Sequence, residues 1–246
     1  MITLYNANCL DVIPQLNQEF RLVLADLPYG ITSCEWDNQI NLTKFWRCIR
    51  PFLTKDGSVL IFSTQPFTTD LVNSNREMFK YVIVWKKNKG TQQLMAKKRP
   101  MSIYEEIVVF QNYMWYNPQW SYGEPYRHTS GKFPKDTIYG EQKEYVSESK
   151  DGKRYPQTII EFDQFPLASK EKVHPTQKPV DLLEYLIKSY SDQGDFILDP
   201  TAGSGSIGVA CKLTNRGYVG IEIDKEYYEI AKKRLLIGDM NEDYRI

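Results

Sequence analysis

Two aspartates are the residues of this chain that are best suited to catalysis or ligand binding, because each follows a short apolar run. Asp26 follows Arg21-Leu-Val-Leu-Ala25 and precedes Leu27-Pro-Tyr29, and Asp199 follows Phe196-Ile-Leu198. Such runs predict buried strands, and α/β sheets place their ligands at the carboxyl ends of parallel strands. A carboxylate there can accept hydrogen bonds and oppose a developing positive charge. The alternative for Asp26 is a strand-ending turn in which its side chain caps a backbone N–H group.

A glycine-rich turn follows the second aspartate and predicts a cofactor site. Pro200-Thr-Ala-Gly-Ser-Gly-Ser206 leads into apolar residues at helical spacing, Ile207 to Leu213. Glycines let the backbone approach a ligand closely, and a helix behind such a turn presents free N–H groups. Gly217 is predicted to close that helix, and the strand Tyr218 to Ile221 then leads into Glu222, an acid placed as in ribose recognition. The pattern alone leaves two alternatives, a turn without a ligand and an oxidoreductase that binds a dinucleotide.

Composition limits the kinds of protein to which these motifs can belong. With 246 residues, 41% of them hydrophobic, the chain can form one large α/β domain with an inserted lobe. It has no apolar run of membrane-spanning length and no basic-then-apolar leader, so we expect a soluble cytoplasmic protein. The 4 cysteines are far apart and form no Cys-x-x-Cys pair, which predicts no metal site and no disulfide framework. Formal charge is zero, so a polyanion would have to bind a local basic patch.

Apolar runs and amphipathic periods alternate along the chain and predict the elements that position the two aspartates. Further strands are predicted at 2–5, 58–62, 81–85 and 107–110, and further helices at 11–18, from Asn41 to Phe52, at 66–75, at 180–190 and at 226–236. The end of the chain, 240–246, is predicted to fray. Strands that alternate with helices predict an α/β fold with a Rossmann-like, doubly wound, mostly parallel sheet.

Six basic residues without an acid lie between two predicted strands and indicate a contact with phosphate groups. Lysine and arginine that neutralise a nucleic-acid backbone release its counterions, which favours binding. The alternative is a solvated face without a ligand. The residues that we expect to contact nucleic acid are Lys86, Lys87, Lys89, Lys97, Lys98 and Arg99.

The character of the chain changes between Gln111 and Val173. Tyrosines, prolines and the two tryptophans Trp115 and Trp120 are frequent there, without a long apolar period. We expect an inserted lobe or a long loop system, and insertions of this length are usually functional. Its aromatic side chains and Arg154 are suited to stacking on bases or hydrogen-bonding to them, and packing of a tyrosine-rich lobe is the alternative.

Four motifs, in this order, resemble those of the β class of DNA amino methyltransferases, which modify adenine or cytosine. Asp26-Leu-Pro-Tyr29 resembles their catalytic motif, and Asp199-Pro-Thr-Ala-Gly-Ser-Gly-Ser206 resembles their S-adenosylmethionine loop. His174-Pro-Thr-Gln-Lys-Pro179 and Gly220 to Tyr227 resemble the segments before and after that loop. The resemblance implies the S-adenosylmethionine-dependent methyltransferase fold with a permuted motif order. It divides the chain into a catalytic part, 1–110, an inserted target-recognition segment, 111–173, and the cofactor-binding part of the same domain, 174–246.

The resemblance also implies a reaction, the site-specific transfer of a methyl group from S-adenosylmethionine to the exocyclic amino group of adenine in double-stranded DNA. Asp26 and the backbone carbonyl of Leu27 or Pro28 would accept the hydrogens of the amine, and Tyr29 would lie against the flipped base. The residues implied to bind the cofactor are Asn8, Cys9, Asp26, Lys178, Asp199, Pro200, Thr201, Gly203, Ser204, Gly205, Glu222 and Ile223. Three positions depart from the family's usual pattern, because Leu27 replaces a proline, Asn8 an acid and Thr201 a phenylalanine.

The target base and the partners stay open at this point. Adenine is favoured over N4 of cytosine because the catalytic motif opens with Asp26, whereas that of the cytosine enzymes more often opens with serine. Methylation of a cytosine carbon is not expected, since none of the cysteines follows a proline. A DNA-binding module that has lost transfer activity is a further alternative, against which the intact Asp26, Pro28 and Tyr29 argue. A cognate restriction enzyme and a second copy of the chain are the other partners considered.

Overall fold

The structure of the protein, a computed structural model, describes residues 1–29, 40–131, 144–164 and 177–236. The loop that begins at Gly30, residues 174–176 of the motif before the glycine-rich turn, and the end predicted to fray lie outside the described residues. Two compact units are present. The first comprises Met1–Asn117 and the chain from Thr158 onward, and the second is Pro118–Gln157.

Strands and helices alternate through the first unit, and the second unit contains short strands. The strands are β1 (Ile2–Asn6), β2 (Phe20–Ala25), β3 (Leu53–Ser63), β4 (Phe79–Thr91), β5 (Ser102–Gln111), β6 (Ser121–Tyr122), β7 (Tyr126–Ser130), β8 (Tyr145–Ser149), β9 (Lys153–Arg154), β10 (Ile159–Glu161), β11 (Phe196–Asp199) and β12 (Gly217–Glu222). The helices are α1 (Cys9–Val12), α2 (Leu42–Ile49), α3 (Phe67–Ser74), α4 (Val180–Tyr190), α5 (Ser206–Leu213) and α6 (Lys225–Leu236).

The main sheet has the strand order β1-β12-β11-β2-β3-β5-β4-β10. Strand β5 runs antiparallel to both of its neighbours, and the other pairings are parallel. At the centre of the sheet β11 pairs with β2, with Ile197 opposite Leu22 and Leu198 opposite Val23. The predicted α/β fold with a mostly parallel sheet is confirmed, and the two strands that end at the aspartates are neighbours in this sheet.

Helices cover both faces of the sheet because its central strands are apolar on both sides. Leu22 and Leu24 of β2 belong to one hydrophobic cluster, together with residues of α4 and α5. The intervening Val23 and Ala25 belong to the other cluster, which includes residues of α2 and α3. Successive side chains of a strand point to opposite faces, so β2 contributes to both layers and is buried throughout. This double layer holds the ends of β2 and β11 in place.

Several element boundaries differ from the sequence-based predictions. In place of the helix expected at 11–18, the structure has the short helix α1 and then a 3-10 turn that contains Pro14. Asn8 caps α1, because its side chain accepts the backbone N–H of Leu10. Gly217 does not close α5 but is the first residue of β12. The left-handed residue after α5 is Asn215, with φ of 59°. Asparagine tolerates this conformation better than most residues, which explains why the helix ends there without glycine.

The second unit consists of two small antiparallel pairs, β6 with β9 and β7 with β8. Trp120 and Tyr155 pack with their ring centroids 4.4 Å apart. The unit is shorter than the insertion expected at 111–173. Gln111 ends β5, where its side-chain amide donates to the hydroxyl of Ser58 at 2.8 Å. After the unit, β10 returns to the edge of the main sheet beside β4.

Among the described residues, the structure has no helix long and apolar enough to cross a membrane. The described ranges also contain no group of three His, Cys, Asp or Glu side chains arranged to hold a metal ion.

Candidate active site

The two strand ends at the centre of the sheet form one site. Asp26 directly follows β2, and Asp199 is the last residue of the neighbouring β11. The hydroxyl of Thr201 donates to the backbone carbonyl of Asp26 at 3.1 Å. This bond ties the glycine-rich turn to the segment that carries the predicted catalytic motif, so the two predicted sites lie next to each other.

The Asp26 carboxylate is held from two sides. The Tyr29 hydroxyl donates to its Oδ1 at 2.9 Å, and Lys178 Nζ donates to its Oδ2 at 2.6 Å. The Tyr29 ring lies against Phe67, with the centroids 5.1 Å apart. Because each carboxylate oxygen can accept two hydrogen bonds, both oxygens keep capacity for a substrate N–H group. Leu27 has a buried side chain, 2% exposed, so the backbone is the part of this residue that can serve the site.

Lys178 continues the contact into a buried charge network that the sequence did not predict. Its Nζ lies 3.5 Å from Oε2 of Glu105, and Glu105 Oε1 accepts a hydrogen bond from Lys87. Burial alone would lower the pKa of Lys178, but the charges of Asp26 and Glu105 raise it overall. Burial alone would likewise raise the pKa of Glu105, but Lys178 and Lys87 lower it overall. Lys178 and Glu105 are therefore held in their charged forms.

The two glycines of the turn are required for different structural reasons. Gly203 and Gly205 both adopt left-handed conformations, with φ of 52° and 78°. A Cβ atom added to Gly203 would meet nothing within 4 Å, so this side of the turn faces open space. A Cβ atom on Gly205 would lie 3.0 Å from that of Ala231 in α6. Gly205 thus permits close packing of the turn on a helix, and Gly203 leaves room for a ligand.

Asp199 stabilises the glycine-rich turn through a hydrogen bond to its backbone. It is fully buried, and its carboxyl accepts the Tyr218 hydroxyl at 3.0 Å and the backbone N–H of Thr201 at 3.3 Å. Burial raises the pKa of Asp199 to about 8, and the nearby negative charges of Glu222 and Asp26 add to the rise. The two hydrogen bonds oppose the rise in pKa only in part.

Glu222 also stabilises the glycine-rich turn through a hydrogen bond to its backbone. Its Oε2 accepts the backbone N–H of Gly203 at 2.7 Å, and its Oε1 accepts that of Asp224 at 2.8 Å. Burial raises the pKa of Glu222, although these hydrogen bonds offset part of the rise. A carboxylate oriented in this way retains lone pairs that can accept the hydroxyl hydrogens of a ribose.

The remaining predicted cofactor residues lie around this turn with different exposures. The backbone N–H of Ala7 donates to the carbonyl of Glu222 at 3.1 Å, so the residues after β1 lie beside the end of β12. Asn8, exposed, caps α1 there. Burial raises the pKa of the Cys9 thiol to about 11, which keeps it protonated. Ile223 is 64% exposed next to Glu222.

A DNA methylase family model, of the N6/N4 type, matches residues 20–233. This span contains both strand ends, the glycine-rich turn and the charge network, and it is most of the chain. The protein belongs to this family of DNA methylases. Membership confirms the predicted activity, methyl transfer to DNA with S-adenosylmethionine as the methyl donor.

Individual relatives of this methylase agree with the family assignment. Type II methyltransferase M.HpaI of Haemophilus parainfluenzae is 28% identical over 242 residues, which cover 93% of this chain and 72% of that protein. DNA adenine methyltransferase YhdJ of Escherichia coli (strain K12) is 27% identical over 237 residues, 87% of this chain and 75% of that protein. The crystal structure of the M1.HpyAVI-SAM complex has 26% identity and a TM-score of 0.64, and the match covers 96% of this chain and 100% of that one.

The basic residues expected to contact DNA do not form one set in the methylase. Lys89, Lys97, Lys98 and Arg99 are exposed at the end of β4 and in the turn that leads to β5. Lys86 is exposed as well, and its Nζ lies 2.7 Å from Oε1 of Glu161.

Two basic residues that were expected to contact nucleic acid, Lys87 and Arg154, make contacts within the protein. Lys87 is only 8% exposed and is bonded to Glu105, because the alternation along β4 turns it inward. Arg154 donates to three backbone carbonyls, those of Gly152, Lys153 and Glu124, and its guanidinium lies 4.3 Å from the centroid of the Tyr126 ring. Lys87 is therefore removed from the set expected to bind phosphates. Arg154, which was expected to stack on bases or to hydrogen-bond to them, has its guanidinium engaged by these contacts within the protein.

Proposed function

We propose that this methylase transfers a methyl group to N6 of adenine at a specific site in double-stranded DNA, in the cytoplasm. The observation that carries the proposal is the hydrogen bond between Thr201 and the Asp26 backbone, which holds an acidic strand end beside a cofactor turn. Asp26 is the proposed acceptor for the target amine, and the turn from Asp199 to Gly205 with Glu222 is the proposed cofactor site.

S-adenosylmethionine fits the residues of the proposed cofactor site. Burial raises the pKa of both Asp199 and Glu222, so a cation brought close to either would favour its ionised form. The cofactor carries two such cations, an ammonium and a sulfonium, and its ribose hydroxyls match the acceptor oxygens of Glu222. The open space beside Gly203 can admit it without a side chain in the way. When bound, S-adenosylmethionine supplies a methyl group on a positively charged sulfur, which leaves as a neutral thioether.

The task of the protein in the reaction is to make a poor nucleophile react. The lone pair of an aromatic exocyclic amine is delocalised into the ring, so the nitrogen must move toward tetrahedral geometry. The Asp26 carboxylate and the backbone carbonyl of Leu27 or Pro28 accept its two hydrogens and favour that geometry. As the new carbon–nitrogen bond forms, positive charge develops on nitrogen, and the carboxylate opposes it and receives the departing proton. In a duplex the base must first leave the stack, and Tyr29 is the residue proposed to lie against it.

Adenine is proposed over cytosine on two grounds. The catalytic motif opens with Asp26, and the relative YhdJ is named a DNA adenine methyltransferase. The family model covers both N6 and N4 methylation and therefore supports either base. N4 methylation of cytosine is the alternative, and a chain that binds DNA without transfer is the non-catalytic one.

The test is to incubate the full chain with S-adenosylmethionine and mixed-sequence duplex DNA, digest the DNA to nucleosides and identify the methylated product by mass spectrometry. N6-methyladenosine, in its deoxy form, is expected. N4-methyldeoxycytidine in its place would establish the alternative base, and the absence of both would contradict the proposal. Sequencing the modified sites in the same DNA would give the recognition sequence.

A further inference from the structure

Four side chains of alternating charge lie in a line behind the proposed acceptor of the target amine. Asp26 contacts Lys178 at 2.6 Å, Lys178 lies 3.5 Å from Glu105, and Glu105 accepts a hydrogen bond from Lys87. They come from four parts of the chain: the end of β2, the residues before α4, β5 and β4. Only Asp26 has a side chain more than a fifth exposed, at 26%, and those of Lys178, Glu105 and Lys87 are 11%, 16% and 6% exposed. The line thus runs from the candidate active site into the protein interior.

We propose that Glu105 and Lys87 are positioning residues for methyl transfer: through Lys178 they fix the Asp26 carboxylate and keep its negative charge available to the amine. The proposal rests on the acceptor role proposed above for Asp26. It assigns no contact with DNA or cofactor to Glu105 or Lys87 themselves.

The need for Glu105 follows from the charge of Lys178. An ammonium 2.6 Å from Asp26 fixes the carboxylate, but alone it would also neutralise the charge that must oppose the developing positive nitrogen. Glu105 shares the same ammonium from its other side, so the charge of Lys178 is divided between two carboxylates, and Lys87 brings the formal charge of the four groups to zero. Lys178 can then orient Asp26 without cancelling it.

The contacts of Glu105 favour this role over that of an ordinary buried ion pair. A pair of Lys87 with Glu105 would be complete without a third group, yet Glu105 Oε2 is buried with no hydrogen bond and has Lys178 Nζ at 3.5 Å. Lys178 in turn lies 4.9 Å from the centroid of the Phe62 ring, an apolar surface that excludes water and favours a cation. An ammonium held between two carboxylates and a ring has little freedom to move.

The pH at which Lys178 loses its proton can be measured, and it distinguishes a positioning role of Glu105 from a contribution to stability alone. The charged groups that face it among the described residues are Asp26 and Glu105, and Glu105 is faced by Lys178 and Lys87. Burial opposes the charged ammonium, and the two carboxylates more than offset this and raise the pKa of Lys178. Removal of the Glu105 charge must therefore lower that pKa, and Lys178 would lose its proton at a lower pH.

The experiment compares Glu105→Gln with the wild-type full chain in single-turnover methyl transfer to duplex DNA across pH 6 to 10. We expect the rate to fall roughly 10- to 100-fold, as for small misplacements of a reacting group. We also expect the alkaline limb of the pH–rate profile to move to lower pH, while the Kd values for S-adenosylmethionine and DNA stay within about twofold. Glu161→Gln is the matched control, because it removes the same charge from the pair with Lys86, the neighbour of Lys87 on the outward face of β4.

A double variant, Lys87→Met with Glu105→Gln, tests the same idea without leaving Lys87 buried and unpaired, in case the single variant fails to fold. It is expected to show the same shift of the alkaline limb. An active wild type whose Glu105 variants keep its rate and pH profile, or share any shift with Glu161→Gln, would overturn the positioning role alone. A wild type that transfers no methyl group would instead overturn the proposed function on which it rests.

Discussion

The backbone N–H of Gly203 donates to Oε2 of Glu222 across 2.7 Å, so the glycine-rich turn and the acid that ends β12 form one structural unit. The two residues are 19 positions apart in the sequence. The bond orients the carboxylate at Gly203, where an added Cβ atom would meet nothing within 4 Å. A ligand that enters this space therefore meets an acceptor whose direction is already set.

Replacement of Glu222 is expected to weaken cofactor binding. Glu222→Gln removes the charge from the proposed hydrogen bonds to ribose, and a hydrogen bond to a charged group contributes about 1.5 to 3 kcal/mol. The Kd for S-adenosylmethionine, measured by calorimetry, should rise by roughly 10- to 150-fold. Because burial raises the pKa of Glu222, wild-type affinity should also begin to fall on acidification at a higher pH than an ordinary glutamate would cause, and the variant should lack this fall. Wild-type affinity in the variant would remove Glu222 from the cofactor site.

Asp199 is expected to make the stability of the free protein depend on pH. Its pKa is about 8 in the folded protein and 3.8 in an ordinary setting. Between these values the folded state holds a proton that the unfolded chain releases, so the free energy of unfolding falls as pH rises toward about 8. Urea unfolding at pH 6, 7 and 8 should show a decline that is shallower in Asp199→Asn by up to about 1.4 kcal/mol per pH unit. Parallel declines in both proteins would show that Asp199 is already ionised at pH 6.

The exposed basic residues after β4 are expected to contribute to DNA affinity through phosphates. Replacement of Lys97, Lys98 and Arg99 with glutamine should weaken binding to all sequences alike. It should also reduce the slope of log K against log salt by about 0.9 for each phosphate group that the variant no longer neutralises. Lys232→Gln with Lys233→Gln on α6 is the control for a general change of charge. An unaltered slope in the triple variant would show that these residues form only a solvated face.

Much of the fold follows from local patterns, whereas the residues behind the site depend on tertiary pairing. Apolar runs predicted β2 and β11, and the chemistry of their ends predicted Asp26 and Asp199. Glu105 was missed because its partner Lys178 lies on the far side of the second unit in sequence. The strand that reaches Lys87 was expected to end at Trp85, but it continues to Thr91. Its period of two places Lys87 on the inward face with Trp85, a signal that was present in the sequence.

Target choice is expected to reside in Pro118–Gln157, the second compact unit. The rest of the chain supplies the sheet, the proposed acceptor and the proposed cofactor turn, and amine chemistry alone would accept any adenine. Exchange of this unit for the corresponding part of a related methylase should move methylation to another sequence and leave the affinity for S-adenosylmethionine unchanged. The exchange should end before Ile159, because β10 belongs to the main sheet. A folded, active chimera that still methylates the original sequence would contradict this prediction. The basic turn after β4 would then be the better candidate for target choice.

The most direct test of the account is the single-turnover rate of Asp26→Asn at saturating S-adenosylmethionine, with the Kd for the cofactor measured on the same sample. The substitution keeps an oxygen for Lys178 but removes the charge that opposes the positive nitrogen. Transfer should fall by at least roughly 1000-fold while the Kd changes less than about threefold. Asp70→Ala, which removes an exposed carboxylate from α3, should leave both values unchanged. An Asp26→Asn protein that transfers methyl groups at the wild-type rate would contradict the central claim.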